Sequence, residues 1–320
     1  MSIFSVIIPC YNASNYIQSC LDSFERQARH DFEVIIVDDC STDSSVELLE
    51  SVLSSYSYPI QLIKNKTNRG PSYARKVGAQ NANSTYLAFC DSDDWFCDNF
   101  AEEVYESIKI ESPDLILFGY NMICGDGRIR VHKLNCENVA NASKELLFLT
   151  GINALWSLVV KKELFLNVEH TDLRNGEDMA IIPLLFAKAE KGHVLSTPLY
   201  NYNSRNDSIS NTSSLKVVDS LLSSFEHVRN NMPKDFVVFE EYIGVSRVLY
   251  GVILNLMKVG YDRKKAHSIA RDFTHKYPSW KKNPYLKTLP LTRRVFIWFI
   301  GHNLTIIPWL MTKLHSIMIR

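Results

Sequence analysis

Over the first hundred residues, short apolar runs alternate with stretches whose apolar positions recur at helical spacing. The runs predict strands at 3–9, 33–38, 60–64 and 85–90, and the intervening pattern predicts helices at 14–28, 43–54 and 71–82. Asp43 with Glu47 marks a helix start, and Gly70-Pro71-Ser72 opens the third helix. Strands that alternate with helices imply right-handed crossovers and a parallel sheet covered on both faces. From 98 to about 200 the pattern is less regular. A strand is expected at 114–120, a turn at Gly125-Asp126-Gly127 leads into a strand at 128–133, and a long apolar helix begins near Arg174 and runs to about Lys191. Beyond about 216 the chain reads as helical, at 216–231, 236–259, 262–276 and 286–316.

In a parallel sheet, ligands bind outside the carboxyl ends of the strands. That edge holds the unusual polar residues of this chain. Strand one ends in Pro9-Cys10-Tyr11-Asn12 and strand two in Asp38-Asp39-Cys40-Ser41-Thr42-Asp43. Strand three is followed by Asn68-Arg69-Gly70, and strand four by Asp91-Ser92-Asp93-Asp94. Three carboxylates within four positions repel one another, and a divalent cation offsets that repulsion well. Magnesium or manganese suits such hard oxygen ligands, with a nucleotide diphosphate completing the shell. A solvated acidic turn is the competing reading of a lone Asp-x-Asp. No strand-to-helix turn has the GxGxxG spacing, which disfavours a dinucleotide cofactor.

At 320 residues, 46% hydrophobic and 22% charged, the chain is globular in composition and long enough for one large domain or two modest ones. Its start lacks the basic leader and cleavage region of a secretory signal. Seven cysteines without CxxC or Cys/His spacing support neither a disulfide framework nor a zinc site, and Cys10 and Cys90 are expected as buried thiols. The zero net charge hides an asymmetry: residues 258–320 carry thirteen Lys or Arg against Asp262 and Asp272, a net +11 that balances −11 in the rest. Such a segment faces something anionic, and a membrane surface suits it better than nucleic acid because of the apolar tail.

Six separated motifs together resemble the inverting family 2 glycosyltransferases of GT-A fold. They are Val6–Asn12, Val37–Asp43, Asn68-Arg69-Gly70 with Ala74–Gly78, Phe89–Asp94, Gly176-Glu177-Asp178 and Tyr200–Arg205, in the family's order and spacing. The resemblance runs from residue 3 to about 210 and implies a Rossmann-like, mostly parallel α/β sheet flanked by helices. A GT-A catalytic domain is then expected over 1–212, with a nucleotide-sugar half at about 1–97 and an acceptor-side half at about 98–212. A helical, basic extension would cover 213–320. Two positions depart from the family pattern and bear on loop geometry: Lys76 replaces the usual Asn, and Cys40 the usual Gly.

The resemblance also implies roles. Tyr11 would stack on the nucleotide base, with Pro9 and Asn12 beside it, and Asp39 would hydrogen-bond a uracil imide, implying a UDP-sugar donor. Asp38 reads better as a structural hydrogen bond inside its turn. Asp91 and Ser92 would meet the ribose, Asp93 the Mn2+ or Mg2+ on the diphosphate, and Asp94 would support the loop. Arg75 would bind the nucleotide or hold an acid in a salt bridge. Transfer with inversion needs a base, assigned to Asp178 with Glu177 as the alternative. Tyr202 and Arg205 would close over the diphosphate. Trp156 is a candidate acceptor-side aromatic or a core residue, and His193 is read as structural.

Residues 293–320 place Arg293-Arg294 before Val295–Ile300, then polar positions, then Ile306–Met311. The 18 residues between Arg294 and Lys313 include His302, Asn303, Thr305 and Pro308. A bilayer span needs ~20 apolar residues, so a helix at 292–316 would lie in the headgroup plane or pack on protein. The expected enzyme acts at the cytoplasmic membrane surface, moving a sugar from a UDP-sugar to a hydroxyl of a saccharide acceptor carried on a polyprenyl diphosphate. The alternatives are a sugar nucleotidyltransferase, weakened by the lack of a glycine-rich phosphate loop after strand one, and a noncatalytic nucleotide-sugar-binding scaffold.

Overall fold

The apolar runs form the strands of one ten-stranded sheet in a computed structural model that describes residues 2–134, 136–204, 214–260 and 262–310. In chain order these are β1 (Phe4–Cys10), β2 (Phe32–Asp38), β3 (Ile60–Lys64), β4 (Tyr86–Phe89), β5 (Trp95–Phe96), β6 (Leu115–Cys124), β7 (Ile129–His132), β8 (Val139–Ala142), β9 (Leu158–Lys161) and β10 (Gly192–Ser204). The principal order is β3-β2-β1-β4-β9-β6-β10-β5, with β7 on β6 and β8 on β10. β1 pairs in parallel with both β2 and β4, and β3 extends the parallel set beside β2.

Register fixes where the polar strand ends meet. Cys10 lies opposite Asp38, and Ile7 opposite Phe89. The Asp39 N–H donates to Cys10 O at 2.8 Å and the Cys90 N–H to Ile7 O at 3.1 Å, so the turns after β1, β2 and β4 leave the sheet at one edge. β9 runs antiparallel between β4 and β6, entering at that edge. Residues 155–157, immediately before it, are thereby delivered to the same place. This antiparallel strand was not expected from the pattern, because Leu158–Lys161 is too short to show a period.

Alternation along β1 divides the core. Val6 and Ile8 pack with Ile17, Leu21 and Phe24 of the Ile17–Glu25 helix, with Phe100 of the Phe100–Glu111 helix and with Phe96. Phe96 and Phe100 stack with ring centroids 3.6 Å apart. Ile7 faces the other side, where the Pro71–Asn81 helix crosses β1 so closely that a Cβ on Gly78 would lie 2.4 Å from Ile7 Cγ2. That close approach carries Arg75, one turn earlier, towards the carboxyl edge.

Residues 1–207 and 208–320 cluster as two compact units. The second is helical: Leu215–Asn231, Val237–Gly244, a π-helical stretch Val245–Val252, Ile253–Gly260, Arg263–Lys276 and Leu291–Gly301. Side chains of Ser214 and Asp262 cap two of these, accepting from the N–H groups of Val217 and Lys265. The expected helix at 286–316 is broken. Pro290 precedes the helix, and after Gly301 the Leu304 N–H returns to Phe299 O at 2.9 Å with Asn303 left-handed at φ 59°. Such a closure ends a helix with Gly or Asn at low cost. Helix resumes at 306–310, and no helix among the described residues is long and apolar enough to cross a membrane.

Candidate active site

Buried Arg75 organises the centre of the carboxyl edge. Its guanidinium is 4% exposed and meets three carboxylates: Nη2 lies 2.7 Å from Asp91, and Nη1 lies 2.8 Å from Glu177 and 3.4 Å from Asp178. Asp91 comes from the turn after β4, whereas the two acids open the Glu177–Lys188 helix behind left-handed Gly176. One cation thus ties the loop of one half of the unit to a helix N-terminus of the other. The acids hold the guanidinium protonated more firmly than usual. A single guanidinium cannot offset three carboxylates, and the shortfall appears at Asp178. Burial, opposed by Arg75 and reinforced by Glu177 and Asp91, pushes its carboxyl up to about 7. Its Oδ2 accepts the Leu155 N–H at 3.0 Å.

Asp94 closes a second network. Its Oδ2 accepts from Tyr200 Oη at 2.8 Å and its Oδ1 from the Asn203 N–H at 2.7 Å, while Tyr200 Oη accepts the Asp91 N–H at 3.1 Å. Burial, with Asp91 and Asp93 close by, raises the Asp94 carboxyl well above the ordinary range. Asp94 is therefore spent on holding the turn, as expected. Asp91 is engaged by Arg75, and Asp93 and Ser92 remain half-buried at the rim. Among the described residues no three His, Cys, Asp or Glu side chains are grouped to hold a metal by themselves. An ion that shared its coordination between one or two carboxylates and substrate phosphates, as magnesium usually does, would need no such group.

At the nucleotide end, Tyr11 is 49% exposed beside half-buried Pro9. Asn12 is left-handed at φ 52°; its Oδ1 accepts the Thr42 N–H at 2.8 Å and its own N–H donates to Ser41 Oγ, pinning the β1 turn to the β2 turn. Asp38 accepts the Ser41 N–H at 3.1 Å, the structural bond anticipated for it. Asp39 is buried, and its carboxylate accepts from the Arg69 and Gly70 N–H groups and from Asn65 Nδ2 at 2.9 Å. It thereby holds the loop after β3 in place. Cys40, where a Gly is usual, is left-handed at φ 66°. A β-branched side chain there should be strained: Cys40→Val is expected to cost about 1–2 kcal/mol by denaturant titration, while Cys40→Gly stays near neutral.

The aromatic wall was not legible as an assembly. Trp156 stacks on Tyr200 with centroids 4.5 Å apart and on Tyr202 at 5.9 Å, and Tyr120 meets its edge at 4.9 Å. Trp156 is half-buried and packs against the edge of the core through these rings. The period-two placement of Tyr200 and Tyr202 was the available signal that both lie on one face of a strand. His193 is buried in β10, and burial lowers its pKa. Cys10 and Cys90 are buried free thiols. Arg205 lies outside the described residues.

Residues 5–157 match the family described as Glycosyl transferase family 2. The chain carries a family 2 glycosyltransferase domain. A protein of Haemophilus influenzae named as an uncharacterized glycosyltransferase is 29% identical over 270 residues, 80% of this chain and 86% of that one. The poly(ribitol-phosphate) beta-N-acetylglucosaminyltransferase TarS of Staphylococcus aureus is 23% identical over 287 residues, covering 88% of this chain but 45% of TarS. A crystal structure of TarS residues 1–349 in complex with UDP superposes with a TM-score of 0.70 at 18% identity, covering 94% of this chain and 87% of that one. A second, in complex with UDP-GlcNAc, gives 0.63. The glycosyltransferase has the GT-A fold of these structures, with a helical C-terminal region. These relatives are named glycosyltransferases, which favours sugar transfer over the nucleotidyltransferase and the scaffold.

Proposed function

We propose that this glycosyltransferase moves a sugar from a UDP-sugar to a hydroxyl of a bacterial surface polymer, with inversion at the anomeric carbon. The observation that carries the reading is the junction at Arg75, which sets a helix-borne acid pair against the Asp91–Asp94 turn at the strand ends. Tyr11, Asn12 and the loop held by Asp39 receive the uridine, while Asp91 and Ser92 face the ribose. Tyr202, backed by Trp156, lines the sugar end. Asp178 takes the proton of the acceptor hydroxyl. That oxygen attacks the anomeric carbon from the face opposite the diphosphate, the bond to the diphosphate oxygen breaks, and UDP leaves with the electron pair. A divalent cation held by Asp93 and the diphosphate would offset the charge that grows on the departing oxygen. Glu177 lies closer to Arg75 and deeper than Asp178, which fits it to holding the guanidinium rather than meeting the acceptor.

TarS, crystallised with UDP-GlcNAc, makes that donor the first to try. The acceptor is a saccharide or polyol-phosphate chain, and a polyprenyl-diphosphate carrier would supply its lipid-linked form. Release of UDP from a panel of UDP-sugars, with and without manganese, tests the reading. Metal-dependent release from one sugar is expected, with Asp93→Ala lowering it about 100-fold or more, since a bound cation's charge stabilisation is worth several kcal/mol. Failure to bind UDP by calorimetry, together with silence across the panel, would sink the donor assignment.

A further inference from the structure

We propose that the C-terminal unit carries a docking surface for an anionic lipid bilayer, built on the outer face of the Leu291–Gly301 helix and the turn after it. Leu291, Val295 and Trp298 succeed one another at spacings of four and three, so they form one stripe on that helix. Leu291 is 70% exposed and Trp298 54%. Leu304, Ile306 and Leu310 continue the exposed apolar surface beyond the helix end. Six large apolar side chains in contact with water over about twenty residues of chain form a patch, which scattered surface leucines do not.

The stripe itself forms one wall of a groove of about 530 Å³, lined also by Trp280, Leu289 and Phe299 together with Lys281 and Arg294. Trp280 is seated against Gly301, where a Cβ would lie 2.8 Å from its ring, and Lys281 Nζ donates to Gly301 O at 2.9 Å. The groove is thus a fixed feature of the helix end. Next to it in sequence, Asn303 borders a cavity of about 350 Å³ lined also by Lys264, His267, Ser268 and Arg271. No carboxylate lines either space. The two acids of residues 258–320 are already used: Asp262 caps its helix, and Asp272 accepts the Ser268 hydroxyl and lies 3.6 Å from Arg271.

Charge and shape together select the occupant. Exposed Lys282, Lys287 and Arg293 adjoin groove-lining Lys281, Leu286 and Arg294 in sequence, in a segment of net +11. An apolar stripe holding an exposed Trp and bordered by Lys and Arg suits the boundary between headgroups and acyl chains. No described helix spans a membrane, so the stripe lies in the interface plane. The cavity that Asn303 borders offers a lipid phosphate the Lys264 ammonium, the Arg271 guanidinium and an amide as donors. Each basic residue near an anionic leaflet strengthens attachment several-fold.

Flotation of the full chain with phosphatidylcholine vesicles, with and without phosphatidylglycerol, tests the surface without reference to catalysis. Binding to the anionic vesicles should exceed binding to the neutral ones by about tenfold or more, and should weaken with salt. Lys287→Glu with Arg294→Glu should remove most of that preference. Leu291→Ser with Trp298→Ser should lower binding to both vesicle types while leaving Tm unchanged, since both side chains are exposed. The wild-type Trp fluorescence should shift to the blue on binding. Equal binding to both vesicle types would overturn the proposal, as would variants that bind like wild type. Light scattering that shows a dimer abolished by Leu291→Ser with Trp298→Ser would assign the face to a second copy instead.

Discussion

Asp178→Asn should lower the turnover of sugar transfer by about 10²–10⁴-fold, the usual contribution of a positioned general base, while UDP binds as before. The argument rests on position first. Asp178 opens a helix at the carboxyl edge and is held by one N–H bond from Leu155 and a long contact to Arg75. Its elevated pKa of about 7 then sets a pH signature. The base must be unprotonated to take the hydroxyl proton, so turnover should rise with pH and reach its plateau above the folded pKa. One unit below that pKa, about a tenth of the groups are ionised and the rate should be about a tenth of the plateau. Stability should run the other way. A carboxyl whose folded pKa lies above its unfolded value of 3.8 favours the protonated fold, so its contribution is lost as pH rises between 3.8 and about 7. Asp178→Asn removes that penalty, and its Tm at pH 8 should not fall below wild type. A loss of turnover under tenfold, with Glu177→Gln the more damaging variant, would transfer the role to Glu177.

The legible and illegible parts of this molecule divide by the range of the interactions that make them. Residues 1–97 were readable because each buried parallel strand is an apolar run that ends in its own polar turn. β1, β2 and β4 carry their chemistry within four residues of their last paired position. The pairing of Asp38 with Ser41 and the loss of Asp94 to the turn are likewise local. Arg75 is different. Its partners Asp91, Glu177 and Asp178 lie 16, 102 and 103 residues away, and only the fold decides that one side chain reaches all three. The aromatic wall has the same origin, since Trp156 meets Tyr200 and Tyr202 only because β9 is inserted antiparallel. Hydropathy also could not break the tail helix. Residues 295–300 and 306–311 are apolar stretches whose polar interruption is compatible with one helix, and the left-handed Asn303 between them is a backbone choice that apolar periodicity does not register.

Arg75→Met should be the most destabilising substitution at the site. It leaves Asp91, Glu177 and Asp178 facing one another without their counter-charge, and removing one partner of a buried ion pair costs about 3–5 kcal/mol. Native domains hold roughly 5–15 kcal/mol in total, so the variant should be marginal at neutral pH. The cost should depend on pH in a definite direction. The guanidinium is what opposes the rise at Asp178, so without it that carboxyl moves up further from about 7 and the fold takes up a proton more readily than the unfolded chain. Stability is then best in acid and falls as pH rises towards that raised value. Denaturant titrations at pH 5 and pH 8 should therefore show a larger loss at pH 8. Arg75→Lys keeps the charge but not the fork that serves Asp91 from one nitrogen and Glu177 from the other, and it should fall between the two. A stable, pH-indifferent Arg75→Met protein that has lost UDP affinity would instead place Arg75 on the nucleotide. A protein unstable at pH 8 and recovering in acid would identify it as the cation that holds the two halves of the site at their working distance.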